Sequence, residues 1–202
     1  DATNLVRTVS ADCAWDGGRA AWCVNEWDGE GWTDATRTTI YPSCEDTEID
    51  VELKFADSVT ISNDTFVACR KLVLSNATDA QTVSPTLVRG EGAFFAPQEM
   101  ALADGVQLTV PIAFGNPMTV GGTLRFGSNA KIIFDADALS GSDADEGAWN
   151  SVMTFNSVEL PDGETNVLSH FGVSSGKYRL ALSTDGRAVL ARRNHGLVIS
   201  FH

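Results

Sequence analysis

No stretch of the 202-residue chain runs to 18 consecutive apolar residues, so no transmembrane helix is expected. Positive charge is scarce: 14 lysines and arginines face 27 aspartates and glutamates, a formal charge of −13, with a pI near 4.4. That balance argues against a nucleic acid or an anionic membrane as partner. Histidine is rare, with three residues, and none precedes His170. The cysteines contain no C-x-x-C pair, so zinc is not expected. Helical signals are missing too. No window of a dozen residues carries an apolar stripe at i, i+3, i+4, i+7 behind a capping residue. What is present is an ordinary globular composition, 43 % hydrophobic and 20 % charged, which excludes a disordered, collagen-like or coiled-coil chain. The length fits one domain, or one with a small cap.

Four cysteines, Cys13, Cys23, Cys44 and Cys69, lie in the first third of the chain. An even count without metal-ligand spacing predicts two disulfides in an oxidising compartment, with reduced, buried thiols as the alternative. Pairing nearest neighbours closes the shortest loops, which selects Cys13 with Cys23 and Cys44 with Cys69. Each closure would add about 3 kcal/mol in the chain-entropy account. The first residue is Asp1, read as a removed leader or a chosen boundary.

The dominant period is two. In Ile49-Asp50-Val51-Glu52-Leu53-Lys54-Phe55 apolar and charged residues alternate, which puts one face of a strand in a core and the other in water. The same alternation returns at Val106–Phe114, at Leu124 and Phe126, at Ile132 and Phe134, at Tyr178–Leu182 and at Leu197, Ile199 and Phe201. Turn signals such as Ser75-Asn76, Asp104-Gly105, Gly121-Gly122, Ser128-Asn129, Asp162-Gly163 and Asp185-Gly186 cut the chain into short pieces. An all-β protein is expected. Apolar pieces begin 15 to 19 residues apart, at Leu72, Leu87, Val106 and Leu124. That spacing favours a β-solenoid, a parallel β-helix in which each coil is buried by its neighbours. A β-sandwich, built mostly from hairpins, is the alternative.

Residues 1–45 read as a separate N-terminal cap segment and 46–202 as the solenoid body with a C-terminal strand. Four of the five tryptophans, Trp15, Trp22, Trp27 and Trp32, crowd together among Asp and Gly. Large aromatics suit the covering of a solenoid's open end. The alternative role for these four indoles is stacking on the apolar face of a sugar.

The run from Trp15-Asp16-Gly17-Gly18 through Trp27 and Trp32, followed by Asp46-Thr47-Glu48-Ile49, Val59-Thr60-Ile61 and Lys71-Leu72-Val73-Leu74, resembles the autotransporter-associated β-strand repeat family of bacterial surface proteins. Leu180-Ala181-Leu182-Ser183-Thr184-Asp185-Gly186 resembles the short closing segments of that family. The resemblance implies a right-handed parallel β-helix that is secreted or surface-anchored and carries no catalytic residues.

Two constellations bear on chemistry. Gly172-Val173-Ser174-Ser175-Gly176 matches G-x-S-x-G, with Asp185 and His195 following in the order of an α/β-hydrolase. That motif needs a strand-to-helix turn, and no helix is expected here, so an ordinary turn is. Asp135, Asp137, Asp143, Asp145 and Glu146 supply oxygen ligands of the kind calcium prefers, though Leu139 and Ser140 break the EF-hand pattern. A weak calcium site or a plain solvated loop is expected, and no other cofactor. Asn63-Asp64-Thr65 and Asn76-Ala77-Thr78 fit the N-glycosylation pattern but read as turns.

Charge is uneven along the chain. Residues 1–164 hold 26 acidic against nine basic side chains, whereas 165–202 hold Asp185 alone against Lys177, Arg179, Arg187, Arg192 and Arg193. With apolar end segments at Leu5, Val6 and Val9 and at Leu197, Ile199 and Phe201, and open sheet edges in any solenoid, head-to-tail self-assembly is expected. The sequence therefore points to a non-enzymatic, extracellular or cell-surface structural protein, a filament subunit or an adhesive domain, whose partner is itself or a surface glycan. A glycan-binding module or a carbohydrate-active β-helix enzyme is the alternative.

Overall fold

Period-two alternation shapes most of the chain. The computed structural model describes residues 3–14, 22–27, 32–38, 48–63, 67–78, 82–89, 95–112, 114–136 and 147–194. The strands in order are β1 (Thr3–Val9), β2 (Cys13–Ala14), β3 (Trp22–Trp27), β4 (Trp32–Thr38), β5 (Ile49–Phe55), β6 (Thr60–Asn63), β7 (Val67–Asn76), β8 (Thr86–Arg89) and β9 (Phe95–Leu102). There follow β10 (Gln107–Pro111), β11 (Met118–Thr119), β12 (Thr123–Phe126), β13 (Lys131–Asp135), β14 (Asn150–Thr154), β15 (Ser157–Glu159), β16 (Phe171–Val173), β17 (Tyr178–Leu182) and β18 (Ala188–Arg193). Among the described residues the helical content is one 3-10 turn, Val167–His170, begun by Asn166, whose side chain accepts from the Leu168 N–H. The chain is all-β, as its periodicity predicts.

Two of its three sheets are mainly parallel. The first has the order β15-β12-β9-β7-β5-β1-β3-β4 and the second β16-β13-β10-β8-β6-β2. From β1 to β15 the first sheet pairs in parallel, and so does the whole of the second. Successive stretches of chain thus lay a strand on the first sheet, turn, lay one on the second, and return one strand further along. Parallel neighbours need such crossovers, whereas hairpins make antiparallel ones. The order is β-helix-like and differs from that of the sandwich held as the alternative. A third sheet, β11-β14-β18-β17, joins β11 and β14 in parallel and adds β18 and β17 antiparallel.

The core follows from register. Leu5 lies beside Val51, Val51 beside Leu72, Leu72 beside Met100 and Met100 beside Leu124, and all five are at most 1 % exposed. In the second sheet Ile61 lies beside Leu87 and Val110 beside Phe134, again all buried. Each such side chain contributes about 1.5–3 kcal/mol by leaving water. A slip by one residue would turn a whole strand inside out, so these rows fix the register as well as stabilise it.

Small residues make the corners between the first two sheets. The N–H groups of Ala56, Ala77, Ala103 and Gly127 donate to the carbonyls of Val9, Phe55, Leu74 and Leu102, each one strand back, at 2.9, 2.8, 2.9 and 2.7 Å. The Asp104-Gly105 and Ser128-Asn129 turns use a left-handed residue, Gly105 at φ 74° and Asn129 at φ 59°, the conformation that Gly and Asn adopt at least cost. The Asn76 side-chain amide donates to the Asp104 carbonyl at 2.7 Å, so it serves a turn, as the sequence suggests.

Residues 3–14 take part in the parallel sheets as β1 and β2, and β3–β4 form an antiparallel ribbon at the edge of the first sheet. This corrects the assembly role expected for Leu5, Val6 and Val9. β1 is flanked by β5 on one side and β3 on the other, and the three side chains are 0 %, 4 % and 2 % exposed. They are consumed within the chain. Leu197, Ile199 and Phe201 lie outside the described residues.

Candidate functional site

The disulfides expected from the cysteine count are absent at both described thiols, since Cys13 and Cys69 are free. Each belongs to one of the expected pairs, so neither pair forms. Cys69 is an apolar rung of the first sheet, 0 % exposed and beside Pro97. Cys13 sits on the second sheet beside Ile61. The Cys23 side chain and Cys44 lie outside the described residues. Burial pushes the Cys69 thiol up to about 12, and the Asp50 carboxylate adds in the same direction. The Cys13 thiol is also raised, by burial first, against the opposing pull of Arg7. Because the fold holds the Cys69 proton more tightly than the unfolded chain, the unfolded state binds fewer protons above its ordinary thiol value of 9.0. Stability should therefore fall as pH rises from about 9 towards about 12. Iodoacetamide at pH 8 should leave Cys69 unmodified until denaturant is added, and rapid alkylation of the folded chain would contradict this burial.

The hydrolase-like motif resolves into turns. Ser174 Oγ donates to Asp135 Oδ1 at 2.9 Å and accepts from the Ala136 N–H at 3.0 Å. Asp185 accepts from Ser183 Oγ at 2.6 Å and from the Arg187 N–H at 3.1 Å. These bonds, the Ser183 hydroxyl first, lower the Asp185 carboxyl below its usual range. Ser174 and Asp185 are thus engaged separately, and His195 lies outside the described residues. Of the calcium ligands, Asp135 ends β13 and faces Ser174. Asp137, Asp143, Asp145 and Glu146 lie outside the described residues. Among the described residues no three His, Cys, Asp or Glu side chains group to hold a metal.

Of the tryptophans expected to cap the end or stack on sugar, Trp15 lies outside the described residues. Trp22, Trp27 and Trp32 fall on β3 and β4, with Trp27 opposite Trp32, and their side chains are not among those described. Beside them, Arg7 points inward at 6 % exposure and its Nη1 donates to the Ala14 carbonyl at 2.8 Å.

Three arrangements were not visible from sequence patterns. On the outer face of the first sheet Arg125 bridges Glu99 at 2.8 Å and Glu159 at 2.6 Å, on the strands to either side. Arg70 pairs with Asp50 at 2.6 Å. Both guanidiniums are exposed, so these contacts align strands more than they stabilise. At the C-terminal end, buried His170 presents Nδ1 to the Ala130 carbonyl at 2.8 Å and Nε2 to Glu164 at 2.7 Å. His170 lies over Phe126, ring centroids 4.7 Å apart.

The third arrangement is on the outer face of the third sheet. Arg179 on β17 is the register partner of Arg192 on β18, and Asn150 on β14 pairs with Ala191, which sets Trp149 level with Arg192. The guanidinium carbons of Arg179 and Arg192 stand 5.5 and 5.0 Å from the Trp149 ring centroid. Trp149 is 39 % exposed. No family model, curated protein or solved structure matches the chain. The geometry alone therefore carries the functional reading. No helix among the described residues is long and apolar enough to cross a membrane.

Proposed function

We propose that this chain is a structural β-solenoid of the extracellular or cell-surface kind, which assembles end to end into filaments and has no catalytic role. The observation that supports the reading most is the pair of long parallel sheets whose strands advance in chain order. Such a stack buries each coil on its neighbours, and among the described residues its outermost strands are β15 and β16 at one end and β4 and β2 at the other. Open edges recruit further strands unless they are blocked. The uneven charge favours a head-to-tail contact, because the five basic side chains of residues 165–202 would meet an acidic remainder. A heterologous contact of that kind extends without closing.

An adhesive domain is the second reading, favoured by the exposed Trp149 beside two arginines. Negative-stain micrographs of the full chain at rising concentration separate the two. Filaments are expected, weakened by added salt and abolished by deleting residues 196–202 while the circular-dichroism β signal persists. A chain that stays monomeric at high concentration would refute assembly and leave the adhesive reading.

A further inference from the structure

We infer that the row Trp149, Arg192 and Arg179 is a binding site for an acidic sugar unit, a pyranose carrying a carboxylate or a sulfate. The row lies on β17, β18 and the start of β14, and Arg179 and Arg192 also belong to the basic segment invoked for assembly; binding is read by calorimetry and assembly by micrographs, so either can fail without the other.

Three features of the row converge. First, it is built on a fixed platform. The opposite face of β18 carries Val189 and Ala191, both 0 % exposed, and β18 is paired on both sides, by β14 and β17. Arg192 is therefore presented by a strand held on both sides, and Arg179 by the hairpin strand paired to it. Second, among the described residues neither guanidinium has a carboxylate within ion-pair distance. The Nε of Arg192 is buried with no hydrogen-bond partner. A buried donor left unsatisfied is costly; Nε itself is out of a ligand's reach, so the donors open to an anion are those of the exposed Arg179 and the half-buried Arg192 fork. Third, an exposed large apolar side chain stands in the same row, Trp149 at 39 %.

The residue types define the ligand. Two guanidiniums side by side present planar forks of N–H donors that match carboxylate and sulfate oxygens. Both also lie within cation–π range of the indole, which keeps two like charges together in the absence of an anion. An indole edge and face beside them suit a flat apolar surface, which a pyranose ring has and an inorganic anion lacks. Nucleic acid offers rings and anions too, but its charge density calls for many cations along a track. This row has two, on a chain with a formal charge of −13. Acidic glycans carry fewer charges per unit length. Glycan recognition is thus proposed at Trp149; the side chains of the four N-terminal tryptophans are not among those described.

The test is calorimetric titration of the intact chain with four probes: tetragalacturonate, a heparin tetrasaccharide, neutral cellotetraose and an oligothymidylate. Saturable binding of one or both acidic tetrasaccharides is expected, with none of cellotetraose, and the stronger of the two identifies carboxylate or sulfate as the group read. Arg192→Gln and Arg179→Gln should each weaken that binding about tenfold, the loss of one charge-assisted pair, while leaving the melting temperature within a few degrees. Trp149→Ala should weaken it as well. Should that variant misfold, Trp149→Phe, which retains an aromatic face, should fold and bind with intermediate strength. Absence of binding by the intact folded chain, unchanged binding by both arginine variants, equal binding of cellotetraose, or tighter binding of oligothymidylate would each overturn the inference.

Discussion

Phe134→Ala should cost the fold about 3–5 kcal/mol, the range for emptying a buried aromatic site. Phe134 is 0 % exposed and belongs to two packing systems at once. Along the second sheet it lies between Val110 on β10 and Val173 on β16. Within an aromatic cluster it stacks on Phe171, its diagonal neighbour on β16, centroids 6.2 Å apart and planes 9° from parallel. Phe171 in turn meets Phe126 edge-on at 5.3 Å and stacks with Phe155 at 6.3 Å. Alanine there leaves a cavity walled by strands that cannot close in, because their spacing is fixed by the ladder hydrogen bonds. Phe134→Leu keeps most of the volume and should cost less than about 1.5 kcal/mol. Strands stacked in parallel rows touch mainly their neighbours and share damage locally, so amide exchange should rise more in residues 123–194 than in 49–76. Denaturant titration gives the magnitude, and hydrogen exchange gives the distribution. A loss below 1 kcal/mol, or exchange raised evenly along the chain, would contradict this account.

The strands were readable because burial on one face leaves a period of two. Ile49–Phe55 and Gln107–Pro111 alternate in burial as their residues alternate in polarity. The parallel order was readable only from spacing and small-residue turns, which mark returns of the chain without naming which strand meets which. Where two faces are covered, the signal fails. Val6 looks like an outward residue between Leu5 and Arg7, yet it is 4 % exposed while lying outside the main buried cluster. Cysteine count misled for a related reason. Cys69 takes an apolar core position, and a buried thiol and a half-cystine are the same letter.

The candidate site was hidden in another way. Arg179 and Arg192 are 13 positions apart, and only the hairpin through the Ser183–Arg187 turn makes them partners. The turn residues Asp185 and Gly186 announce that hairpin, so folding Tyr178–Leu182 back on Ala188–Arg193 was within reach of the sequence. Trp149 was not, because its position beside them depends on β14 pairing with β18 across an intervening stretch of more than 30 residues. His170 and Glu164 share this property. Their meeting depends on the 3-10 turn, and the Ala130 carbonyl that completes the set comes from an earlier coil.

Gly127→Ala should destabilise by about 2–4 kcal/mol, and the reason is space rather than backbone conformation. Gly127 has no left-handed φ, so the ordinary argument for glycine does not apply. A Cβ there would run into Asp104 Oδ1, and would stand 2.6 Å from the Asp104 nitrogen and 2.8 Å from the Ala103 carbonyl carbon. Backbone atoms one coil back cannot swing aside. The Asp104 carboxylate also accepts the Ser128 N–H at 2.8 Å, a bond worth about 1 kcal/mol or more that the intruding methyl would displace. Overpacking of about 1–3 kcal/mol adds to it. Against these stands the stiffening of the unfolded chain by alanine, about 0.4–1 kcal/mol in favour of the fold, which is too small to reverse the sign. Gly163 is the control. It has φ +84° with nothing within 4 Å of a Cβ, so alanine there should cost about 1 kcal/mol through conformation alone. Asparagine, which tolerates the left-handed region, should recover most of that at 163 and worsen the overlap at 127. Thermal melts of Gly127→Ala, Gly127→Asn, Gly163→Ala and Gly163→Asn decide the matter, because the two mechanisms rank the four variants differently. If asparagine rescues position 127, the close approach between the Asp104 and Ser128 turns is not what requires glycine there.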